Sequence, residues 1–202
     1  MLSRLRDGAT RVATPIARFL LARGVGPDHV TIAGTLVVVV AALWAYPTGH
    51  LLLGTLVIAL FVLTDTLDGT MARLSGRAGA WGAFLDSTLD RVADAAIFAG
   101  LVVWFGGPGE DPLTAVLALA ALVLGSVVPY ARARAEGLGL TASVGIAERA
   151  DRLAIVLVAT GVVGMGAPVV VLTVALGLLS LASLVTIVQR AATVRAQIRE
   201  RG

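Results

Sequence analysis

Six long apolar segments follow one another along this 202-residue chain and constrain its fold more than any other feature. About 20 apolar residues in a helix span a bilayer with every backbone hydrogen bond satisfied internally. The sequence is 57% hydrophobic, above the about 45–50% of soluble domains, and a domain this small lacks the interior to bury the excess. We therefore predict one all-α integral-membrane domain over residues 1–202, with spans at 30–46, 51–74, 83–105, 113–130, 153–165 and 169–188.

The N-terminal arm differs from these spans because arginines interrupt its apolar residues. Leu2, Val12, Ile16 and Phe19 recur at near-helical spacing, and a glycine-proline stretch at 24–27 ends the pattern. Such a pattern predicts an amphipathic helix over residues 1–22 that lies on the membrane surface. The predicted six-helix transmembrane bundle then occupies residues 28–192.

The positive charges fall on one side of the predicted membrane. All sixteen basic residues are arginine. They lie in or within a few turns of the N-terminal arm, the loops at 72–81 and 131–152, and the tail after 189, whereas the opposite loops hold only Glu110 and Asp111. Cytoplasmic loops carry such an excess of arginine. We therefore predict a cell-membrane protein with both termini and the active site cytoplasmic, and topology explains the basic charge better than nucleic-acid binding does.

Aspartates form two helical pairs within the apolar segments. Asp65 and Asp68 are three residues apart and Asp86 and Asp90 are four apart, so each pair lies on one helix face, which Asp94 extends by a turn. The short loop between the two helices makes them antiparallel neighbours, so we expect the acidic faces to meet. An aspartate near the centre of a membrane helix costs roughly 2.5–3.5 kcal/mol, and converging carboxylates repel at low dielectric. A bound divalent cation offsets both penalties.

The available side chains restrict the identity of that cation. The chain has no cysteine and two histidines, His29 and His50. Carboxylate oxygens suit hard cations, so we predict Mg²⁺ or Mn²⁺. Solvated acids at a helix-ending turn are the structural alternative. A cation transporter is the functional alternative, but the acids cluster toward the inner half of two spans, whereas a transport path needs polar groups through both halves.

Two glycines accompany the aspartates. Gly69 directly follows Asp68, and Gly82 precedes Asp86 by four residues. A glycine beside a ligand site lets a phosphate or nucleotide approach the backbone closely. Close packing of helices is the alternative explanation for either glycine.

Together these residues form the pattern D-x2-D-G-x2-A-R-x8-G-x3-D-x3-D, which resembles the signature of the CDP-alcohol phosphotransferases. Every fixed position is matched within residues 65–90, and the six predicted spans extend the resemblance along the chain. The resemblance implies a reaction in which an alcohol hydroxyl attacks a CDP-linked lipid and CMP leaves. The matched residues are Asp65, Asp68, Gly69, Ala72, Arg73, Gly82, Asp86 and Asp90.

The resemblance also implies a role for each matched residue. Asp65, Asp68, Asp86 and Asp90 are implied to hold the metal, and Asp90 is implied to be the general base for the acceptor hydroxyl as well. The family further implies CDP-diacylglycerol as donor and a homodimer embedded in membrane lipid. The residues implied to bind the CDP-lipid are Thr31, Asp65, Asp68, Gly69, Ala72, Arg73 and Gly82.

A narrower resemblance implies the acceptor. The segments 14–31, 130–136 and 148–152, together with Arg190, resemble an actinobacterial branch of the family that uses inositol 1-phosphate. The positions that match its acceptor-phosphate residues are Arg132, Arg134, Arg152 and Arg190.

Two positions depart from that branch, and alternatives remain for the arginines and the acceptor. Arg132 stands where lysine is common, and Pro129 lacks the hydroxyl and the backbone donor of the serine that is common there. Positive-inside placement and a helical pair of Glu148 with Arg152 also explain these arginines. Glycerol 3-phosphate is the alternative acceptor, and it would make the protein a phosphatidylglycerol phosphate synthase.

Overall fold

The fold is that of a computed structural model in which residues 13–63, 65–76, 79–146 and 148–201 are described, with only the backbone described at 63, 65 and 66. These residues form helices joined by short turns, with no strand among them, which confirms the predicted all-α class. The helices are α1 (Ala13–Ala22), α2 (Pro27–Ala45), α3 (Leu51–Leu63), α4 (Asp65–Leu74), α5 (Ala80–Gly106), α6 (Pro112–Glu136), α7 (Arg149–Gly164) and α8 (Val170–Arg201).

The long helices pack as a closed ring. Going around it, α2 contacts α5, α5 contacts α6, α6 contacts α8, α8 contacts α7, α7 contacts α3, and α3 returns to α2. The helix α4 continues from α3 and packs against α2. Because α5 and α7 are not neighbours in this order, a contact between their side chains crosses the interior of the ring.

Small residues bring the helix backbones close together. A Cβ at Gly100 of α5 would collide with the carbonyl oxygen of Ala42 in α2, and one at Gly164 of α7 would collide with the backbone of Leu52 in α3. Between apolar helices in lipid, association depends on such close packing and on interhelical hydrogen bonds. One such bond joins Thr114 of α6 to Thr173 of α8, whose hydroxyl oxygens are 2.6 Å apart.

Among the described residues, four candidate spans are long and apolar enough to cross a membrane: α2, the stretch Leu51–Leu74 that contains α3 and α4, α6 and α8. The other two ring helices fall short for separate reasons. The helix α5 has 27 residues but carries Asp86, Asp90, Arg91 and Asp94 between its first turns and its middle. The helix α7 has 16 residues, fewer than the about 20 that a straight span needs. The count of six therefore stays a prediction.

The described part of the N-terminal arm is the helix α1. Ala13 and Ala17 are buried, whereas Ile16 and Phe19 are exposed, and the guanidinium of Arg23 lies 4.5 Å from the centre of the Phe19 ring. An apolar exposed face with arginines beside it agrees with a helix on a membrane surface. Residues 1–12 of the predicted surface helix lie outside the described residues.

The connection between α6 and α7 lies along the last turns of α8, so that residues 139–146 run antiparallel to that helix. Gly145 has φ 139° and approaches α8 so closely that a Cβ would collide with Thr186. Side chains on α8 hydrogen-bond to the backbone of this loop. The bonds join Arg201 Nη2 to Gly139 O (2.9 Å), Gln197 Nε2 to Thr141 O (2.6 Å), Arg190 Nε to Val144 O (2.9 Å) and Ile146 N to Thr186 Oγ1 (3.1 Å). This bonding fixes the chain that leads into α7.

Candidate active site

A cleft of about 450 Å³ lies where the N-terminal ends of α2, α5 and α7 meet α4. Polar and small side chains make up most of its wall. The lining residues are Pro27, Asp28, Thr31, Asp68, Gly69, Ala72, Arg73, Gly79, Gly82, Ala83, Leu85, Asp86, Asp90 and Arg149. The fold thus brings together, at one end of the helix ring, most of the residues that the sequence pattern singles out.

Asp68 is the most enclosed of the acids that line the cleft, at 9% exposure. Its Oδ2 accepts a hydrogen bond of 2.6 Å from the hydroxyl of Thr31 in α2, and its Oδ1 accepts one of 2.5 Å from the backbone N–H of Gly69. Both oxygens are therefore oriented before any ligand binds. Packing of α4 against α2 brings Thr31 to this carboxylate, although 37 residues separate the two in sequence.

Asp86 and Asp90 present the carboxylates of α5 to the same cleft. Asp86 is exposed and Asp90 is half-buried, as expected for acids on successive turns that lead from the opening of the cleft inward. The side chain of Asp65 lies outside the described residues. Among the side chains that the structure describes, no three acids or histidines converge closely enough to share one metal ion.

The donor set of the cleft still fits a hard divalent cation. Its carboxylates lie on three helices, with Asp28 on α2, Asp68 on α4, and Asp86 and Asp90 on α5; a threonine hydroxyl lies beside Asp68, and the lining holds no imidazole. Magnesium and manganese sites are built from such oxygen ligands completed by water and phosphate oxygens. The described residues that would hold the cation are Asp68, Asp86 and Asp90.

The two glycines of the sequence pattern face open space. Among the atoms of the described residues, a Cβ at Gly82 would meet none within 4 Å, and one at Gly69 would meet only Nη1 of Arg73 at 3.6 Å. Close packing of helices therefore does not explain either glycine. Both line the cleft, where a bare backbone leaves room for a phosphate or a nucleotide.

Arg73 and Ala72 form the wall on the α4 side. The guanidinium of Arg73 is exposed, and its Nη2 donates to the hydroxyl of Thr70 at 3.1 Å. This bond to its own helix orients the arginine while leaving the rest of its fork directed toward the cleft. A planar guanidinium suits bidentate contact with phosphate.

Arg149, the first residue of α7, is a cleft residue that the sequence analysis did not single out. Its Nη1 lies 2.9 Å from Oδ1 of Asp90, and its Nε lies 3.1 Å from Oδ1 of Asp94. The segment 148–152 was recognised as part of the acceptor region, but nothing in its sequence distinguishes the arginine that reaches the cleft. Only the packing of α7 into the ring does so.

The four arginines predicted to bind the acceptor phosphate lie outside the lining of the cleft, and three of them have partners elsewhere. Arg132 pairs with Glu136 at 2.8 Å on the exposed face of α6, and Arg134 is exposed near the end of that helix. Arg152 is 3% exposed and pairs across the ring with Asp94 at 3.4 Å, rather than with Glu148. Arg190 is 7% exposed and donates to the carbonyl oxygens of Val144 and Val128.

Comparison with known proteins identifies a matching family. The sequence profile described as CDP-alcohol phosphatidyltransferase matches residues 25–188. The phosphatidylinositol phosphate synthase of Streptomyces avermitilis is 50% identical over 197 residues, which cover 95% of this chain and 81% of the relative. The phosphatidylinositol phosphate synthase of Cutibacterium acnes is 50% identical over 202 residues, covering 96% of this chain and 98% of the relative.

Solved structures of relatives share the fold of this chain. A Mycobacterium tuberculosis phosphatidylinositol phosphate synthase with CDP-DAG bound superposes with a TM-score of 0.88 at 44% identity, covering 91% of this chain and 94% of that one. The same enzyme in complex with manganese and citrate gives a TM-score of 0.87 at 44% identity, covering 90% of this chain and 88% of that one.

Proposed function

This chain belongs to the CDP-alcohol phosphatidyltransferase family, and from that premise we propose that it transfers the phosphatidyl group of CDP-diacylglycerol to a hydroxyl of inositol 1-phosphate. The products are phosphatidylinositol phosphate and CMP. The observation that carries the proposal is the single cleft in which Thr31, Asp68, Gly69, Arg73, Asp86 and Asp90 meet. Relatives that are 50% identical over nearly the whole chain carry the name of this activity.

In the proposed reaction, the acceptor oxygen forms a bond to the phosphorus that carries the diacylglycerol. The bond from that phosphorus to the bridging oxygen of CMP breaks, and CMP leaves with the electron pair. The proton of the attacking hydroxyl passes to the carboxylate of Asp90, which lines the cleft and is held at one oxygen by Arg149. Asp90 is thus the proposed general base.

Asp65, Asp68, Asp86 and Asp90 are the proposed metal ligands, for Mg²⁺ or Mn²⁺. When bound, the cation neutralises charge on the phosphate oxygens. The hydrogen bonds from Thr31 and Gly69 hold Asp68 in place for that role. A relative with the same fold has been solved with manganese, which supports this choice of metal.

The proposed CDP-lipid subsite comprises Thr31, Asp65, Asp68, Gly69, Ala72, Arg73 and Gly82. The open space at Gly69 and Gly82 leaves room for the nucleotide backbone, and the guanidinium of Arg73 offers charge-assisted donors to it. The solved relative with CDP-DAG bound supports a site of this kind in the shared fold.

The proposed acceptor-phosphate residues are Arg132, Arg134, Arg152 and Arg190, which surround the entry of α7 and the loop that leads to it. Arg132 and Arg134 are exposed, so an anionic acceptor can reach them directly, whereas Arg152 and Arg190 are buried and contribute positive charge to the same region.

We further propose that α5 and α7 complete a six-span bundle, with α1 on the membrane surface, both termini and the cleft cytoplasmic, and a homodimer in the lipid of the cell membrane. The one-sided arginines support this orientation. Because the chain has no cysteine, single cysteines at Gly202 and Gly109 report it. In intact cells an impermeant thiol reagent should label Gly109→Cys and leave Gly202→Cys unlabelled, and the reverse result overturns the orientation.

The decisive experiment supplies purified protein in detergent with radiolabelled CDP-diacylglycerol, Mg²⁺ and a panel of acceptors. We expect phosphatidylinositol phosphate from inositol 1-phosphate, and much slower reaction with inositol or glycerol 3-phosphate. Faster reaction with glycerol 3-phosphate, or with unphosphorylated inositol, refutes the acceptor but keeps the reaction class. No CMP release with any acceptor refutes both.

A further inference from the structure

Asp94 is a buried carboxylate that the proposed reaction does not use. It lies one turn beyond Asp90 on α5, is 8% exposed, and does not line the cleft. Both of its oxygens contact arginines of α7: Oδ1 lies 3.1 Å from Nε of Arg149, and Oδ2 lies 3.4 Å from Nη2 of Arg152. Asp94 thus joins two helices that are not neighbours in the ring.

Arg149 connects this buried carboxylate to the cleft. Its guanidinium contacts Asp94 through Nε and Asp90 through Nη1, at 3.1 Å and 2.9 Å. A guanidinium is planar and rigid, so fixing one edge of it fixes the other. The position of Asp94 therefore determines where Nη1 stands, and Nη1 in turn holds Oδ1 of Asp90.

Arg91 of α5, the other arginine near these acids, does not replace this connection. Nη2 of Arg91 lies 3.7 Å from Asp90 and 3.9 Å from Asp94, which is too far for a directed hydrogen bond. Arg91 adds positive charge to the cluster, but orientation comes from the two short contacts of Arg149. The chain Asp94–Arg149–Asp90 is consequently the path by which α7 orients the base.

We propose that Asp94 is a positioning residue: through Arg149 it holds the carboxylate of Asp90 in the orientation that accepts the proton of the acceptor hydroxyl. The proposal rests on the proposed function, because it assigns Asp94 to the base of that reaction. The alternative is a purely structural role, in which Asp94 only neutralises the buried guanidinium of Arg152.

The test measures kcat and the KM of each substrate for Asp94→Asn, Arg149→Gln and the double variant, with thermal unfolding of each purified protein. We expect kcat to fall about tenfold in each single variant, near the lower end of what one charge-assisted hydrogen bond contributes, while KM for CDP-diacylglycerol changes less than about twofold. The double variant should lose no more than either single variant, because both substitutions break one path.

Glu200→Gln is the matched control, since it removes an exposed carboxylate near the end of α8, outside the cleft and the acceptor region. It should keep the parental kcat. If Asp94→Asn does not fold, Arg149→Lys serves instead, because an ammonium cannot bridge both acids as the fork does, and the same fall in kcat is expected with Asp94 intact.

The outcomes distinguish a failure of this proposal from a failure of the proposed function. A parent protein that releases no CMP with inositol 1-phosphate refutes the function. An active parent whose Asp94→Asn variant unfolds at lower temperature but keeps its kcat shows that Asp94 is only a counterion of Arg152. Losses that multiply in the double variant show that Asp94 and Arg149 act separately, which also overturns the proposal.

Discussion

Two charged regions of the molecule are assembled in different ways. The acidic wall of the cleft is formed by residues 65–90 of α4 and α5. The basic region is formed by the arginines of α6, α7 and α8 between positions 132 and 190. Acids of the first are three or four residues apart on two consecutive helices. The arginines of the basic region that have partners bind different groups: Arg132 binds Glu136, Arg149 binds Asp90, Arg152 binds Asp94, and Arg190 binds the carbonyl oxygen of Val144. Of these arginines only Arg149 lines the cleft in the described structure.

This difference shows which kind of charge can be assigned a role from sequence spacing. The i,i+3 and i,i+4 spacings place carboxylates on one face whatever the tertiary structure does. An arginine has a long side chain with several rotamers, and its apolar stem lets it reach in different directions. Arg149 and Arg152 are three residues apart, yet one reaches the cleft and the other is buried against Gly125 of α6.

Metal removal should have the largest effect, and it acts on the acidic wall alone. Excess EDTA should abolish CMP release, and added Mg²⁺ or Mn²⁺ should restore it, because the carboxylates of α4 and α5 have no other means of binding phosphate. The thermal unfolding of the protein measured in parallel shows whether the fold survives. Full activity in excess chelator contradicts the metal site.

Asp86→Asn should lower kcat/KM by about 10²–10³-fold, the range for losing one strong electrostatic contact at a reacting centre. Asp86 is exposed in the cleft, so its loss should leave membrane insertion and the unfolding temperature unchanged. Initial rates with saturating Mg²⁺ measure the effect, and Glu200→Gln, at an exposed position near the end of α8, controls for removing a carboxylate. A variant with more than about half the parental activity would show that Asp86 is not a ligand.

Two arginine substitutions should separate folding from binding in the basic region. Arg152→Ala should lower the free energy of unfolding by roughly 3–5 kcal/mol, because it breaks a buried ion pair and leaves Asp94 with one guanidinium fewer. Arg134→Ala, at an exposed position, should leave stability unchanged and raise the KM for inositol 1-phosphate by about 10- to 150-fold, as expected for a charge-assisted contact. Chemical unfolding in detergent and steady-state kinetics measure the two effects.

The opposite results would contradict the assignment of Arg152 to stability and of Arg134 to acceptor binding. An Arg134→Ala variant with an unchanged acceptor KM assigns that arginine to topology alone. An Arg152→Ala variant of parental stability would mean that the ion pair across the ring contributes nothing to the fold.

The smallest effect is expected for Gln197→Ala, which removes the hydrogen bonds between the amide of Gln197 and Thr141. Such partly solvated bonds contribute about 0.5–1.5 kcal/mol. The backbone amide of Thr141 should exchange faster with deuterium, whereas Ile198→Ala, which truncates an exposed side chain one residue away, should not change it. Equal exchange in the two variants would show that α8 does not hold the loop.

Much of the acidic wall could be predicted from sequence because its geometry is local. The pattern placed Asp68, Gly69, Arg73, Gly82 and Asp86 together, and the structure brings them to one cleft. The prediction for Thr31 came only from the family resemblance, since its bond to Asp68 depends on the packing of α2 against α4. No spacing in the sequence relates positions so far apart.

The count of spans shows a limit of a different kind. Apolar length in the sequence predicted six spans, and the length and composition of the described helices support four of them: α2, α6, α8 and the stretch Leu51–Leu74. In α5, however, the charges that build the site reduce the apolar character by which a span is recognised. The reaction requires charged side chains on the same helix turns that membrane insertion requires to be apolar.

The sequence by itself determined the all-α class, the family and the acids of the cleft, because hydrophobic length and helical spacing act over a few turns. The tertiary structure alone decided that Arg149 meets Asp90, that Asp94 lies behind it, and that Arg190 is bonded to backbone carbonyls. The physical reason is that a long cationic side chain takes whichever anion or carbonyl the packed helices bring within reach, and only the closed ring fixes that choice.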